Sequence, residues 1–199
     1  MKLKLTFYVL LTSILLTSCM TTPSYYVDGG GTVSIDKGKK YILVNNNVLS
    51  SNYELNVKVK HDFEEIFKED LYHASYNRFL EFDNKMLADK VFLDEDMLAG
   101  IKNTSKGDYL IFIRFFGISK DKNGKVNLYS QKKNRIDWYR EFHVLLQVYD
   151  LNARKDLLSK VCVSVLERVS DDGLATMRYS QILKTYNKVM KEFRKSIIY

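Results

Sequence analysis

Asp108-Tyr109-Leu110-Ile111-Phe112-Ile113-Arg114-Phe115-Phe116-Gly117 is the stretch on which the fold turns. From Tyr109 to Phe116 every side chain except Arg114 is apolar or aromatic. A strand made from it is apolar on both faces, which places it in the middle of a sheet. Upstream, Asp94 is positioned to cap a helix carrying Met97, Leu98 and Ile101, and the polar cluster 103–107 ends that helix. Downstream, residues 119–137 are polar and basic, with Asn123-Gly124 at a turn. Two alternating runs follow. In 141–150, Phe142, Val144, Leu146 and Val148 share one face, while Glu141, His143, Gln147 and Tyr149 share the other. In 157–167, Val161, Val163 and Val165 share a face, and Leu151-Asn152-Ala153-Arg154 joins the two runs as a tight hairpin. One apolar and one mostly polar face predict a sheet covered on a single side.

Further upstream, Tyr41-Ile42-Leu43-Val44 reads as a buried strand closed by three asparagines. Residues 53–60 alternate like a strand, yet Ser51 with Glu54 and Asp62 with Glu65 are both capping-box patterns. The expected helix covers 62–72, with its start open as far back as Ser51. Residues 77–82 read as an edge strand. The clearest helix is 174–198, where Ile182, Tyr186, Val189, Phe193 and Ile197 recur at helical spacing and lysines occupy the other faces. That apolar stripe is expected to pack on the sheet rather than lie on a membrane. The fold class is therefore α+β: a single mixed sheet of about four to five strands, covered by helices mainly on one face as a two-layer sandwich.

The amino terminus carries an address. Lys2 and Lys4 precede an uncharged run from Leu5 to Leu16, which closes in Leu16-Thr17-Ser18-Cys19. That order is a secretory signal, too short to be a membrane-spanning stop-transfer helix. It resembles the lipobox of bacterial lipoproteins. The resemblance implies cleavage after Ser18, a diacylglyceryl lipid on the Cys19 sulfur, and in many species an acyl chain on the new amino terminus. The expected division is a signal peptide at 1–18, a lipidated tether at 19–39 and one α+β domain at 40–199. Gly29-Gly30-Gly31 falls in the tether and lacks the phosphate-loop spacing, so it reads as turn or linker.

Composition is that of an ordinary globular chain: 46% apolar and 28% charged, with one proline, Pro23. The net charge of +7 includes Lys2 and Lys4, and the remaining cations are interspersed with acids, so no nucleic-acid partner is expected. With Cys19 assigned to lipid, Cys162 is left alone in a strand-like run, where it reads as a small buried hydrophobe.

Residues 40–197 resemble the α+β domain of envelope proteins related to the amino-terminal domain of the Tol-Pal translocation protein. That superfamily includes the curli-secretion lipoprotein and lipoprotein activators of penicillin-binding proteins. Tyr41 to Val44 resembles its opening strand. Ile101 to Phe116, through Gly107-Asp108-Tyr109, resembles its helix, acidic-aromatic turn and middle strand. The hairpin containing Val148-Tyr149-Asp150 resembles its Val-x-Asp segment. The chain departs from the curli relative in having no spare alternating length for membrane-inserting hairpins, so no pore is expected. It also lacks the long tether of the synthase activators.

Chemistry is sparse. His61, His73 and His143 form no H-E-x-x-H pattern, there is no nucleophile elbow, and Cys162 has no base near it in sequence. Asp94-Glu95-Asp96 and Asp171-Asp172 read as helix caps. The expectation is a non-enzyme with no metal and no cofactor beyond the covalent lipid. Lys132 to Arg140 combines cations with Trp138, the only tryptophan, so Arg135, Trp138, Tyr139 and Arg140 are the expected partner-binding residues. The sheet face bearing His143, Gln147 and Tyr149 is expected to extend that surface. The functional expectation is an accessory lipoprotein of the cell envelope that docks to or helps assemble a partner complex, with a homo-oligomer left open. Met20, which is not the aspartate that retains enterobacterial lipoproteins at the inner membrane, points to the outer membrane facing the periplasm. The alternative is a periplasmic carrier holding a lipid or other apolar ligand between sheet and helix, in a cavity lined by residues such as Phe112, Phe116 and Phe193.

Overall fold

The computed structural model describes residues 23–46, 53–73, 92–120, 126–129, 141–165 and 179–198. Its strands are β1 (Ser24–Gly31), β2 (Val33–Ser34), β3 (Tyr41–Asn46), β4 (Leu71–His73), β5 (Tyr109–Lys120), β6 (Val126–Tyr129), β7 (Glu141–Asp150), β8 (Lys155–Val165) and β9 (Ile197–Ile198). The helices are α1 (Tyr53–Phe67), α2 (Glu95–Ser105) and α3 (Tyr179–Lys195). The main sheet runs β1-β8-β7-β5-β3-β4, with β6 pairing on β5 beyond the end of β3. β3 is parallel to both β4 and β5, and the other main-sheet pairs are antiparallel. The sheet is thus mixed, the class is α+β, and β5 lies in its middle, as its two-sided apolarity requires.

Alternation along β5 and β7 sorts two cores. Ile111, Ile113 and Phe115 join Phe142, Val144, Leu146 and Val148 on one face, under α1 and α3. Leu110 and Phe112 join Tyr149 on the other face, under Met97, Leu98 and Ile101 of α2. The second face was expected to be mostly polar. It is buried instead, with Leu145, Gln147 and Tyr149 at 6%, 0% and 1% exposure. For Tyr149 the cause is topological: parallel neighbours need crossover connections, and the chain between β4 and β5 places α2 on the opposite side from α1. Two helices still lie on one face, but α2 adds a third layer over part of the other.

In α1, Leu55, Val59, Phe63 and Phe67 are buried at four-residue spacing while Val57 is 47% exposed. That exposed valine decides the ambiguous segment for helix. The early start near Ser51 is the one realised; the helix ends at Phe67, where Lys68 turns to φ 51° and leads through a 3-10 turn into β4. Asp62 is therefore in mid-helix and is no cap. Asp94 does cap α2, its Oδ1 accepting from Met97 N at 2.9 Å, and Lys106 closes that helix in the left-handed region. Gly107 follows because a Cβ there would lie 2.4 Å from Ile42 Cγ1. α3 packs Ile182, Tyr186, Val189 and Phe193 on the sheet as expected, each buried side chain of this size contributing ~1.5–3 kcal/mol. It stops at Lys195, and Ile197 and Ile198 form β9 against β2 instead of a last helical turn. The edge strand expected at 77–82 lies outside the described residues.

The tether expected at 19–39 gives way over most of its described length. Ser24–Gly31 is a full edge strand, pairing with β8 from Ser24↔Val165 to Gly31↔Leu158. The glycines that suggested a linker make this pairing possible. Gly29 and Gly31 have φ of 105° and 99°, and a Cβ on them would lie 2.0 Å from Ser159 O and 2.1 Å from Leu157 O.

Candidate functional site

Three polar clusters and one sheet edge stand out. The first ties α1 to α3. Asp62, 9% exposed, accepts from Tyr186 Oη at 2.8 Å and from Lys58 Nζ at 3.0 Å, with Arg194 Nη2 at 4.0 Å. Arg194 also donates to Glu65 at 2.7 Å, which holds that carboxyl below its ordinary range. Burial, and then the Asp62 charge, push the Tyr186 hydroxyl far above its ordinary value, so it serves as a neutral donor. Every member has a partner within the fold, and the cluster is a clasp.

The second cluster sits where β3 and β5 begin. Asp108 accepts from Lys40 N at 3.0 Å, Asn152 Nδ2 at 3.2 Å and Lys102 Nζ at 3.4 Å. The backbone N–H of Lys40 is the main cause that holds its carboxyl low. Tyr109 stacks on Tyr41 with centroids 4.8 Å apart and donates to Asp36 Oδ2 at 3.0 Å; burial leads in pushing its hydroxyl up to about 12. The Gly107-Asp108-Tyr109 turn is thus a junction fastening β3, α2 and the 151–154 hairpin.

The third cluster lies on the α2 side of the sheet. Arg114, 5% exposed, donates to Gln147 Oε1, and its guanidinium stands 4.8 Å from the Phe112 ring centroid. Burial lowers it to about 10, so it stays charged at neutral pH. Next to it His143 stacks on Phe116 at 4.9 Å and meets Glu141 at 3.3 Å; burial lowers its pKa more than Glu141 raises it. Of the residues expected to extend a docking face, Gln147 and Tyr149 are interior. Tyr149 lies under α2 and its hydroxyl accepts from Leu93 N at 3.3 Å. Only His143 of that trio is partly exposed.

The carrier cavity meets a similar obstacle. Phe193 packs 5.7 Å from Phe63 and 6.4 Å from Phe67 on the α1/α3 face. Phe112 and Phe116 point to the opposite face, with the sheet between them and Phe193. No single cavity is lined by all three.

Cys162 is buried between Val27 and Val144 in the ladder, and burial pushes its thiol up to about 11, the signature of a packing residue. Among the described residues no group of acids, histidines and cysteines is placed to hold a metal ion. No described helix is long and apolar enough to cross a membrane.

Cys19, Arg135, Trp138, Tyr139 and Arg140 lie outside the described residues, as do His73's side chain and Asp171-Asp172. The strands that follow them in the chain are described. β1 begins five residues after Cys19, and β7 begins directly after Arg140. Ser24 of β1 pairs with Val165 of β8, which pairs with Glu141 of β7. Two segments more than a hundred residues apart in sequence thus join the sheet at the same end, about 10 Å from each other across two strand spacings. Sequence reading missed this because nothing in 24–31 looks like a strand partner for 155–165. Beside that end, Tyr26 is 61% exposed on the edge strand, and Lys188 of α3 stands 5.1 Å from the Tyr25 ring centroid.

No protein-family pattern matches the chain, and no curated protein does. Among solved structures, the PelC dodecamer from Paraburkholderia phytofirmans, in a hexagonal crystal form, aligns at 8% identity with a TM-score of 0.39, covering 74% of this chain and 86% of that one. A point variant of the same dodecamer in a monoclinic form aligns at 8% identity with a TM-score of 0.37, covering 73% and 86%. Similarity at this level assigns no role to any residue of the chain.

Proposed function

We propose that this protein is a non-enzymatic lipoprotein of the bacterial cell envelope, anchored through Cys19, that docks to or helps assemble a partner envelope complex. The observation that carries the reading is the Leu16-Thr17-Ser18-Cys19 sequence after an uncharged apolar run, set five residues before the first strand of a folded domain. The anchor consists of a diacylglyceryl group on the Cys19 sulfur, and Met20 favours the outer membrane with the domain in the periplasm. The polar clusters support a non-enzymatic role, since each is engaged in holding elements together. Docking falls to the cationic and aromatic residues Arg135, Trp138, Tyr139 and Arg140, whose types anchor protein interfaces.

Cells grown with radiolabelled fatty acid should label the wild-type product and leave Cys19→Ser unlabelled. Absence of label in the wild type, or equal label in both, refutes the anchor. Crosslinked partner recovery from native membranes should fall with Trp138→Ala and Arg140→Ala; full recovery by folded variants refutes the docking role.

A further inference from the structure

We propose that the end of the sheet formed by Ser24, Val165 and Glu141, flanked by Tyr26 and by Lys184 and Lys188 of α3, is a lipid-facing surface held against the bilayer by the brevity of the connection to Cys19. This rests on the lipid anchor proposed above and adds an orientation to it.

The geometry is set by chain length. Four residues, Met20 to Pro23, separate Cys19 from Ser24, and the five residue steps between them span at most ~18 Å when fully extended. Ser24 opens an edge strand fixed to β8 along eight paired positions, so the strand cannot peel into a longer leash without losing that ladder. β8, Lys155–Val165, runs beside it in the opposite direction, and its eleven residues span about 36 Å between the 151–154 hairpin and the Val165 end. α3 runs in the direction of β1, away from the Ser24 end. Its last residues lead into Ser196, whose carbonyl accepts from Val33 N at 3.0 Å just beyond the far end of β1. Ser180 therefore lies toward the Ser24 end, and Ser196 toward the hairpin end.

A rigid body tied at one end to a wall by a leash shorter than its own length keeps the tied end nearer the wall, because the bilayer excludes the arrangements that would reverse it. The residues at the tied end suit that position. Tyr26 offers an exposed ring with a polar tip, and Lys184 and Lys188 are exposed cations suited to anionic headgroups. Among the described residues the acid at this end is Glu141, which lies 3.3 Å from His143. The hairpin at 151–154 and the loop through Asp36 are consequently presented away from the membrane.

The test uses the full lipidated chain in phosphatidylethanolamine–phosphatidylglycerol vesicles that carry a nitroxide headgroup quencher. A fluorophore is placed on Ser180→Cys or, in a second sample, on Ala153→Cys; both positions are exposed, and the buried Cys162 thiol does not compete. Quenching should be severalfold stronger at position 180 than at 153. Inserting sixty Gly/Ser residues between Thr21 and Thr22 should abolish most of that difference, since such a leash reaches ~44 Å on average, more than the length of the body. Equal or reversed quenching in the unmodified chain overturns the orientation, and so does a difference that survives the insertion. Fatty-acid labelling of the same preparations separates the two readings: labelled protein without the gradient refutes the orientation alone, and unlabelled protein refutes the anchor.

Discussion

Tyr186→Phe tests whether the α1–α3 clasp is held by its buried hydrogen bond. The substitution keeps the ring, which packs 6.0 Å from Phe115, and removes only the hydroxyl that donates to Asp62 at 2.8 Å. A hydrogen bond to a charged acceptor contributes ~1.5–3 kcal/mol to stability. Asp62 keeps Lys58 Nζ at 3.0 and 3.2 Å after the change, so the cost should sit at the low end, ~1.5 kcal/mol. Asp62→Ala should cost more, ~3 kcal/mol, because it strands the buried Tyr186 hydroxyl and also removes the Lys58 pair. The double variant should cost little more than Asp62→Ala alone, since a phenylalanine at 186 has no hydroxyl to strand. The expected coupling is therefore ~1–1.5 kcal/mol, measured by urea unfolding of the four proteins followed by circular dichroism. Costs that add to within ~0.5 kcal/mol would show that the two side chains do not depend on each other, and the clasp would be a coincidence of position.

Gly31→Ala should destabilise the domain by more than ~1 kcal/mol in thermal or urea unfolding, since its φ of 99° and the 2.1 Å approach to Leu157 O both exclude a Cβ. Gly30→Ala, with nothing within 4 Å, is the matched control; equal behaviour of the two would return 24–31 to the status of a leash. His143 sets a pH dependence. Its folded pKa lies below the ordinary 6.5, so the unfolded chain takes up the proton first; the contribution to stability is complete above 6.5 and falls as pH drops through and below it. His143→Phe should flatten the stability profile between pH 7 and 5, and an unchanged slope would rule His143 out as its source. Native Cys162 should resist alkylation until the protein unfolds, and fast labelling at neutral pH would contradict its burial.

Several features were legible in the letters because they depend on local periodicity. The alternation of Phe142, Val144, Leu146 and Val148 named the face that packs, and the two-sided apolarity of 109–116 named the central strand. The heptad-like recurrence from Ile182 to Phe193 named the covering helix. Asp94 named the cap of α2. A strand's side chains repeat every two residues and a helix's every 3.6, and that information survives in one dimension. Local pattern failed at 53–60, where alternation mimicked a strand and only the exposure of Val57 in the fold resolves it. It failed again at Gln147 and Tyr149, polar-tipped side chains that look solvated until Arg114 and Leu93 are found beside them.

What the sequence by itself determined is the class of the fold, its central strand and hairpin, and the amino-terminal pattern from which the anchor is proposed. Only the tertiary structure decided that 24–31 closes the sheet, that α2 covers Tyr149 on the second face, that Asp62 clasps Tyr186, and that the strands following Cys19 and Arg140 meet at one end. These are pairings between residues far apart in the chain. Their partners are selected by the shape left over once the core has packed, and no periodicity within either segment encodes that shape.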